Sequence, residues 1–204
     1  MPRAAAAVAK SDSVSRAALL RAAELCLRRW GYSGFTTRRV AEAAGTPLSQ
    51  IHYHFGSKEA LVLELLREQN RRLLERQRAM FGSDLPLWKR WEKACDYLDD
   101  DLASGYVRIL QEMIAAGWSK PAFAAAVREL LAGWYALLGR VAEEAVARFG
   151  SFGMLEAQDV ACLVGNAFVG GEALLLLGFE EAGMPIRRAL RRFGTVIRAF
   201  EEAR

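Results

Sequence analysis

Hydrogen-bonding side chains crowd one short segment near the N-terminus, where Ser49, Gln50 and His52 follow one another closely. All three can pair with the edges of nucleic-acid bases, and glutamine can form two hydrogen bonds with adenine. Ile51 and Phe55 are four residues apart, so a helix would bring both onto one apolar face. That arrangement turns the polar side chains outward or sideways, as a helix that enters the DNA major groove requires.

The residues before this segment favour two short helices joined by a tight turn. Thr36 can cap a helix that runs to Ala44, and Gly45 ends it because glycine adopts a left-handed turn at little cost. Thr46 can cap the next helix, with Pro47 at its first position, where a missing N–H does no harm. Two such helices predict a helix-turn-helix, whose second helix binds in the major groove.

Elsewhere apolar residues recur at intervals of three and four, and alternating β-branched runs are nearly absent. The chain is therefore predicted to be all-α, with an N-terminal three-helix helix-turn-helix domain over residues 13–58 and a larger C-terminal helical domain over residues 59–204. Residues 1–12 are predicted to form a flexible arm, because their alanine run is too short for a signal peptide. The predicted helices cover residues 13–30, 37–44, 48–54, 58–80, 87–103, 106–116, 121–148, 156–177 and 185–202.

Basic residues are concentrated in the first part of the chain. The first 60 residues carry 9 lysines and arginines against 4 acidic residues, whereas the remaining residues carry 19 against 20. Phosphate contacts supply most of the nonspecific affinity of a protein for DNA, so a basic domain on a nearly neutral body is typical of a polyanion-binding protein. The charge distribution therefore supports nucleic acid as the partner of the N-terminal domain.

The cellular compartment is indicated by the cysteines and by one apolar stretch. Cys26, Cys95 and Cys162 are widely spaced and form no CxxC pair, which predicts buried free thiols in a cytoplasmic protein. Residues 160–179 are largely apolar over the roughly 20 residues that a bilayer requires. They nevertheless contain Glu172 and four glycines, so we predict a buried helix or subunit interface and no membrane partner.

Five spaced runs between residues 16 and 61 form a specific pattern. They are Leu19-Leu20-Arg21-Ala22-Ala23, Gly34-Phe35-Thr36-Thr37-Arg38-Arg39-Val40-Ala41, Ala44-Gly45, Ile51-His52-Tyr53-His54-Phe55 and Lys58-Glu59-Ala60-Leu61. This segment resembles the tetracycline-repressor-like (TetR) family of transcriptional regulators. The resemblance implies a ligand-responsive, sequence-specific DNA-binding regulator, most simply a repressor that a small effector releases from its operator. It also implies a homodimer on near-palindromic double-stranded DNA, with half-sites separated by one helical turn or a simple multiple of it.

The resemblance further implies which side chains contact DNA. Thr37 and Arg38 match contact positions at the start of the second helix, and Lys58 matches a phosphate-contacting lysine. The family usually has a tyrosine where this chain has His52, so the base specificity stays open. The residues predicted to bind DNA are Thr36, Thr37, Arg38, Leu48, Ser49, Gln50, His52, Tyr53, His54 and Lys58.

Aromatic and large apolar residues are dense between residues 87 and 179. Most of them belong in the core, but the family's helical bodies enclose a small-molecule pocket, which implies an apolar or aromatic effector. The residues predicted to line it are Trp91, Tyr106, Met113, Trp118 and Trp134. The last two long helices, residues 156–177 and 185–202, combine small residues with an apolar face and are predicted to form the dimer interface.

Two other classes of protein fit an all-α chain. An enzyme would need paired catalytic carboxylates, a Ser-His-Asp set, a Cys/His cluster or a Gly-rich phosphate loop, and none emerges. His52 and His54, the two histidines, are two residues apart and would point away from each other, so no metal site is predicted. No catalytic residue and no cofactor are predicted either. A module that binds a partner protein through its apolar helices remains the alternative to a DNA-binding homodimer.

Overall fold

The computed structural model describes the backbone of residues 3–150 and 153–203, and within these ranges the side chains from residue 16 onward. This described part of the chain is helical without a β-strand, which confirms the predicted all-α class. The predicted arm falls partly on residues 1–2, outside the described residues, and stays a prediction. The helices are α1 Arg3–Gly34, α2 Thr37–Ala44, α3 Leu48–Phe55, α4 Lys58–Phe81, α5 Leu87–Ser104, α6 Tyr106–Gly117, α7 Pro121–Phe149, α8 Ala157–Leu176 and α9 Ile186–Glu202.

Helix α1 bends at Gly31, where the backbone leaves the helical conformation with a φ of +63°. The predicted helix ends at Trp30, and one further turn follows the bend in the structure. Glycine is needed here because its φ lies in the left-handed region and because α6 passes close by. A Cβ on residue 31 would lie 2.8 Å from side-chain atoms of both Arg108 and Glu112. The bend is therefore a point of close contact between the N-terminal helices and the rest of the chain.

The N-terminal helices share one apolar core with the start of α4. Its fully buried side chains include Leu19, Leu27, Phe35, Val40 and Ile51. Full burial of each such side chain contributes roughly 1.5–3 kcal/mol relative to exposure. Tertiary packing, rather than the helix propensity of eight residues, therefore holds α3 in place.

The turn between α2 and α3 differs from the predicted one in a single detail. Thr36 caps α2 as predicted, since its Oγ1 accepts a hydrogen bond of 3.3 Å from the Arg39 N–H, and Gly45 ends α2 in the left-handed conformation. The prediction that Thr46 caps α3 is wrong, because Pro47 itself occupies the cap position with extended backbone. Thr46 is then one residue too far from the free N–H groups, and its Oγ1 is buried without a hydrogen-bond partner among the described residues.

The larger body comprises α4 to α9 and is built from two closely packed helix pairs. Helices α7 and α8 approach closely at Gly165, where an added Cβ would lie 2.3 Å from the Tyr135 ring. Helices α5 and α9 meet at Gly194, which packs against the Trp91 indole. Arg191 joins the second pair through hydrogen bonds of 2.8 and 2.9 Å to two carboxylates of α5. Residues of both pairs line a cavity described below.

Two of the three cysteines are buried as predicted, and the prediction for the third is wrong. Cys162 is exposed on α8. Helices α7 and α8 are both long and apolar enough to span a membrane by length and composition. They are packed against each other, however, and core helices of water-soluble proteins pass the same test. These two helices do not indicate a membrane protein.

Candidate nucleic-acid interface and body cavity

Helix α3 is anchored at two points on its inner face. Ile51 is fully buried in the core of the N-terminal helices. Phe55 is half-buried under the Arg16 guanidinium, which lies 5.4 Å from the centre of its ring. Arg16 in turn forms an ion pair of 2.6 Å with Glu64 on α4. Helix α3 is therefore fixed to both α1 and α4, as a helix that presents side chains to DNA would need to be.

The outer face of α3 gathers four of the predicted DNA-binding residues. Leu48, Ser49, His52 and Tyr53 occupy adjacent positions on two successive turns and are all exposed, Tyr53 to 71%. Gln50 is half-buried at the edge of this face. The helix is eight residues long, about 12 Å, and such a helix fits the major groove.

His52 is oriented by a local hydrogen bond. Its Nδ1 lies 3.2 Å from the carbonyl oxygen of Gly56, and because that oxygen can only accept, Nδ1 carries the proton. On the neutral ring Nε2 is then an acceptor, whereas on the protonated ring it becomes a donor. His52 can therefore accept a hydrogen bond from an adenine or cytosine amino group when neutral, and donate to guanine or phosphate when charged.

His54 is placed differently from the other predicted residues of α3. Its side chain is half-buried between the rings of Tyr53 and Phe55, with ring centroids 5.0 and 6.1 Å away. Its Nε2 is shielded from solvent and has no hydrogen-bond partner among the described residues. The structure does not bring this nitrogen to the outer face of α3.

The start of α2 presents a second exposed group beside α3. Thr36 and Arg38 are exposed, and Thr37 is half-buried. The neighbouring Arg39 is directed back onto the protein, where it lies 4.9 Å from the centre of the Trp30 ring and donates a hydrogen bond to the Gly34 carbonyl. Of the two adjacent arginines, Arg38 is therefore the one available to a phosphate.

Lys58 points into the protein rather than outward. Its Nζ donates a hydrogen bond of 3.0 Å to the Tyr32 carbonyl and lies 4.2 Å from the centre of the Tyr32 ring. Burial lowers the pKa of the ammonium, and the charge of the neighbouring Lys120 acts in the same direction. This lysine ties the start of α4 to the end of α1, so a phosphate would have to compete with that bond.

A cavity of about 420 Å³ lies inside the body, with walls from all six helices α4 to α9. Three of the residues predicted to line a pocket do so, namely Trp91, Tyr106 and Trp134. The other two are elsewhere: Met113 is fully buried on the side of α6 that packs against the core of the N-terminal helices, and Trp118 follows the end of α6 with 86% of its surface exposed.

Sequence reasoning missed the polar residues of the cavity. Asn70, Gln77, Asp101 and Glu172 line it beside many apolar side chains. One pattern could have pointed to Glu172, which is the one carboxylate between Val160 and Leu177, in a largely apolar stretch. A charged residue in such a helix must lie in a polar site or in solvent.

A helix-turn-helix with an exposed hydrogen-bonding face, mounted on a helical body with an internal cavity, is the architecture typical of DNA-binding regulators. The sequence pattern of bacterial regulatory proteins of the tetR family matches residues 19–65. The N-terminal domain of the chain therefore carries the sequence pattern of the TetR family.

The N-terminal domain is also similar to curated regulators. It is 44% identical over 61 residues to the HTH-type transcriptional repressor AcnR of Corynebacterium efficiens, and the same values hold for AcnR of Corynebacterium glutamicum. The aligned residues are 30% of this chain and 32% of each relative, so the similarity does not extend over the body.

Solved structures share the fold of nearly the whole chain. A TetR transcription regulator from Haloarcula marismortui has a TM-score of 0.75 at 18% identity, over 91% of this chain and 96% of that one. A putative transcriptional regulator from Saccharomonospora viridis in complex with choline has a TM-score of 0.74 at 22% identity, over 89% of this chain and 95% of that one. FadR from Bacillus subtilis in complex with stearoyl-CoA has a TM-score of 0.69 at 15% identity, over 88% of this chain and 96% of that one. At these identities the similarity establishes the fold.

Proposed function

We propose that the protein is a sequence-specific DNA-binding transcriptional regulator of the cytoplasm, a repressor released from its operator by a small apolar or aromatic effector. The observation that carries the proposal is the outer face of α3, where Ser49, His52 and Tyr53 are exposed on a helix fixed by packing. Gln50 and Arg38 border this face, so base-pairing and phosphate-binding groups lie together.

Dimerisation through α8 and α9 belongs to the same proposal. Helix α9 exposes Phe193, Val196 and Phe200 at spacings of three and four, each to about half of its surface, and the same side chains also line the cavity. Helix α8 exposes Leu163 together with small residues of the same face. Exposed apolar faces on two adjacent helices favour association with a second copy of the chain. A two-fold dimer would bind a near-palindromic operator.

Helix α6 provides a physical connection between the cavity and the N-terminal helices. Tyr106 and Leu110 line the cavity from one side of α6. On the other side, Glu112 accepts a hydrogen bond from the backbone N–H of Tyr32, next to the bend in α1. An effector that displaces α6 would therefore change the position of α1 and with it the spacing of the two recognition helices. Its effect is limited by its differential affinity for the two states.

DNA binding is tested by fluorescence anisotropy with labelled DNA from upstream of the protein's own gene. We expect specific binding, and Gln50→Ala and His52→Ala should each weaken it. A lost pair of base contacts is worth about 1–3 kcal/mol, or roughly 5- to 150-fold in affinity. Lys93→Ala, at an exposed position on α5, is the control and should bind normally. Absence of specific binding, or normal binding by both α3 variants, would refute the proposal.

A further inference from the structure

The cavity is not uniform in polarity. Its walls are mainly apolar, but two carboxylates, Asp101 on α5 and Glu172 on α8, also line it. Burial raises the pKa of the Tyr106 phenol, and the charges of Glu172 and Asp101 raise it further, which places the three groups within electrostatic range of one another. No lysine, arginine or histidine lines the cavity among the residues that the structure describes. The charged groups of this cavity are therefore all acidic.

The two carboxylates differ in how they are compensated. Asp101 accepts two hydrogen bonds of 2.8 Å from the Arg76 guanidinium, which neutralises its charge. Glu172 accepts one long hydrogen bond of 3.4 Å, from the side-chain amide of Gln111, and forms no ion pair with any side chain in the described part of the chain. An uncompensated carboxylate among apolar walls is unfavourable. Burial accordingly raises the pKa of Glu172 to about 7.

Two further features of the walls suit a positive charge. Gln77 also lines the cavity, and its Oε1 atom is buried and has no hydrogen-bond partner among the described residues. One helical turn before Glu172, Phe168 lies in an aromatic cluster with Trp91 and Trp134, whose ring centroids are 5.4 and 6.3 Å from its own. Aromatic faces attract cations, and an unpaired amide oxygen requires a donor.

We propose that the effector is an amphipathic cation, an apolar or aromatic molecule with one protonated amine, whose ammonium group binds Glu172. This inference rests on the proposed function, in which the cavity is the effector site. The ammonium would supply the positive charge that the protein itself does not provide. The apolar part of the molecule would fill the space between Trp91, Phe168 and Phe193, which line the remaining cavity.

Three probes of one shape test the charge preference: 4-phenylbutylamine, 4-phenylbutanol and 4-phenylbutanoate. Their affinities are measured by isothermal titration calorimetry with the full chain at pH 8, where Glu172 is ionised and the amine is protonated. We expect the amine to bind at least tenfold more tightly than the alcohol, and the carboxylate to bind most weakly. In Glu172→Gln the advantage of the amine over the alcohol should fall below threefold. Glu181→Gln, at an exposed position, should retain the full advantage.

The outcomes separate this inference from the proposed function. Equal affinities for the amine and the alcohol in the wild type, or an advantage that persists in Glu172→Gln, would overturn the cationic effector while leaving an apolar effector in place. Absence of binding by all three probes would also overturn it. The anisotropy measurement of DNA binding, which needs no probe, decides independently whether the protein is a DNA-binding regulator.

Discussion

Replacing Glu172 by glutamine should stabilise the protein at alkaline pH and change little at acid pH. Burial, together with the nearby charge of Asp101, raises the pKa of this carboxyl group from 4.5 to about 7. The native state therefore holds the proton more tightly than the unfolded state, and wild-type stability falls as the pH rises through this interval. The difference between the two pKa values corresponds to about 3 kcal/mol. This value is an upper limit, because the half-buried side chain faces the cavity and solvent there would screen it.

The assay is urea denaturation of the wild type and variants at pH 5 and pH 8, at one protein concentration because the proposed dimerisation would affect apparent stability. The advantage of Glu172→Gln over the wild type should increase by about 2–3 kcal/mol between these pH values. Glu181→Gln, which removes an exposed carboxyl group, should give a curve parallel to the wild type. A parallel curve for Glu172→Gln would show that this group ionises as easily in the folded chain as in the unfolded one, and would refute the reasoning.

Three further predictions concern the core, the DNA interface and the dimer. Ile51→Ala removes a fully buried side chain and should reduce stability by about 2–5 kcal/mol in urea denaturation. Arg38→Ala should reduce the slope of log affinity for DNA against log salt concentration by about one per subunit. Lys58→Ala should leave that slope unchanged, because the ammonium is bound to the protein backbone. Ala167→Glu should dissociate the proposed dimer in sedimentation velocity, because it places a charge on the exposed face of α8 between Leu163 and Gly170.

Each of these predictions has a control and a contradicting outcome. Ile51→Val removes one methyl group and should cost about 0.5–1.5 kcal/mol, so equal effects of both replacements would contradict tight packing at this position. If Lys58→Ala lowers the salt slope as much as Arg38→Ala, the lysine contacts phosphate after all. Lys93→Glu, at an exposed position on α5, should leave the proposed dimer intact, and a dimer that survives Ala167→Glu at low micromolar concentration would exclude this face of α8.

The helices were predictable because their ends depend on local chemistry. The Thr36 cap and the left-handed Gly45 act within one turn, and the structure has both as predicted. The cap assigned to Thr46 was wrong because threonine and proline compete for one helix start, and the sequence does not show which of them lies one residue nearer to the helix. Local patterns therefore predict that a turn is present, but they do not show which residue caps the helix that follows it.

Side-chain orientation in the body was less predictable. Met113 and Trp118 are large apolar residues at helical spacings, as are the residues that line the cavity. Met113 is nevertheless in the core, and Trp118 is exposed. Their positions depend on how α6 is rotated against α1 and α7, which is a tertiary property. The inward orientation of Lys58 has the same origin, since its partner, the Tyr32 carbonyl, is 26 residues away in sequence.

The charge of Glu172 and the contacts of α6 together suggest how binding in the cavity could reach the DNA. Compensating a buried carboxylate is worth at most about 3 kcal/mol, and allosteric couplings are typically about 1–3 kcal/mol, so the energy available is of the required size. It would contribute to release from DNA only if the surroundings of Glu172 differ between the two states. Gln111 binds Glu172, and the next residue, Glu112, binds the backbone of Tyr32 in α1. A movement of α6 would therefore alter both contacts together, and a ligand that favours one arrangement at Glu172 would also favour one position of α1.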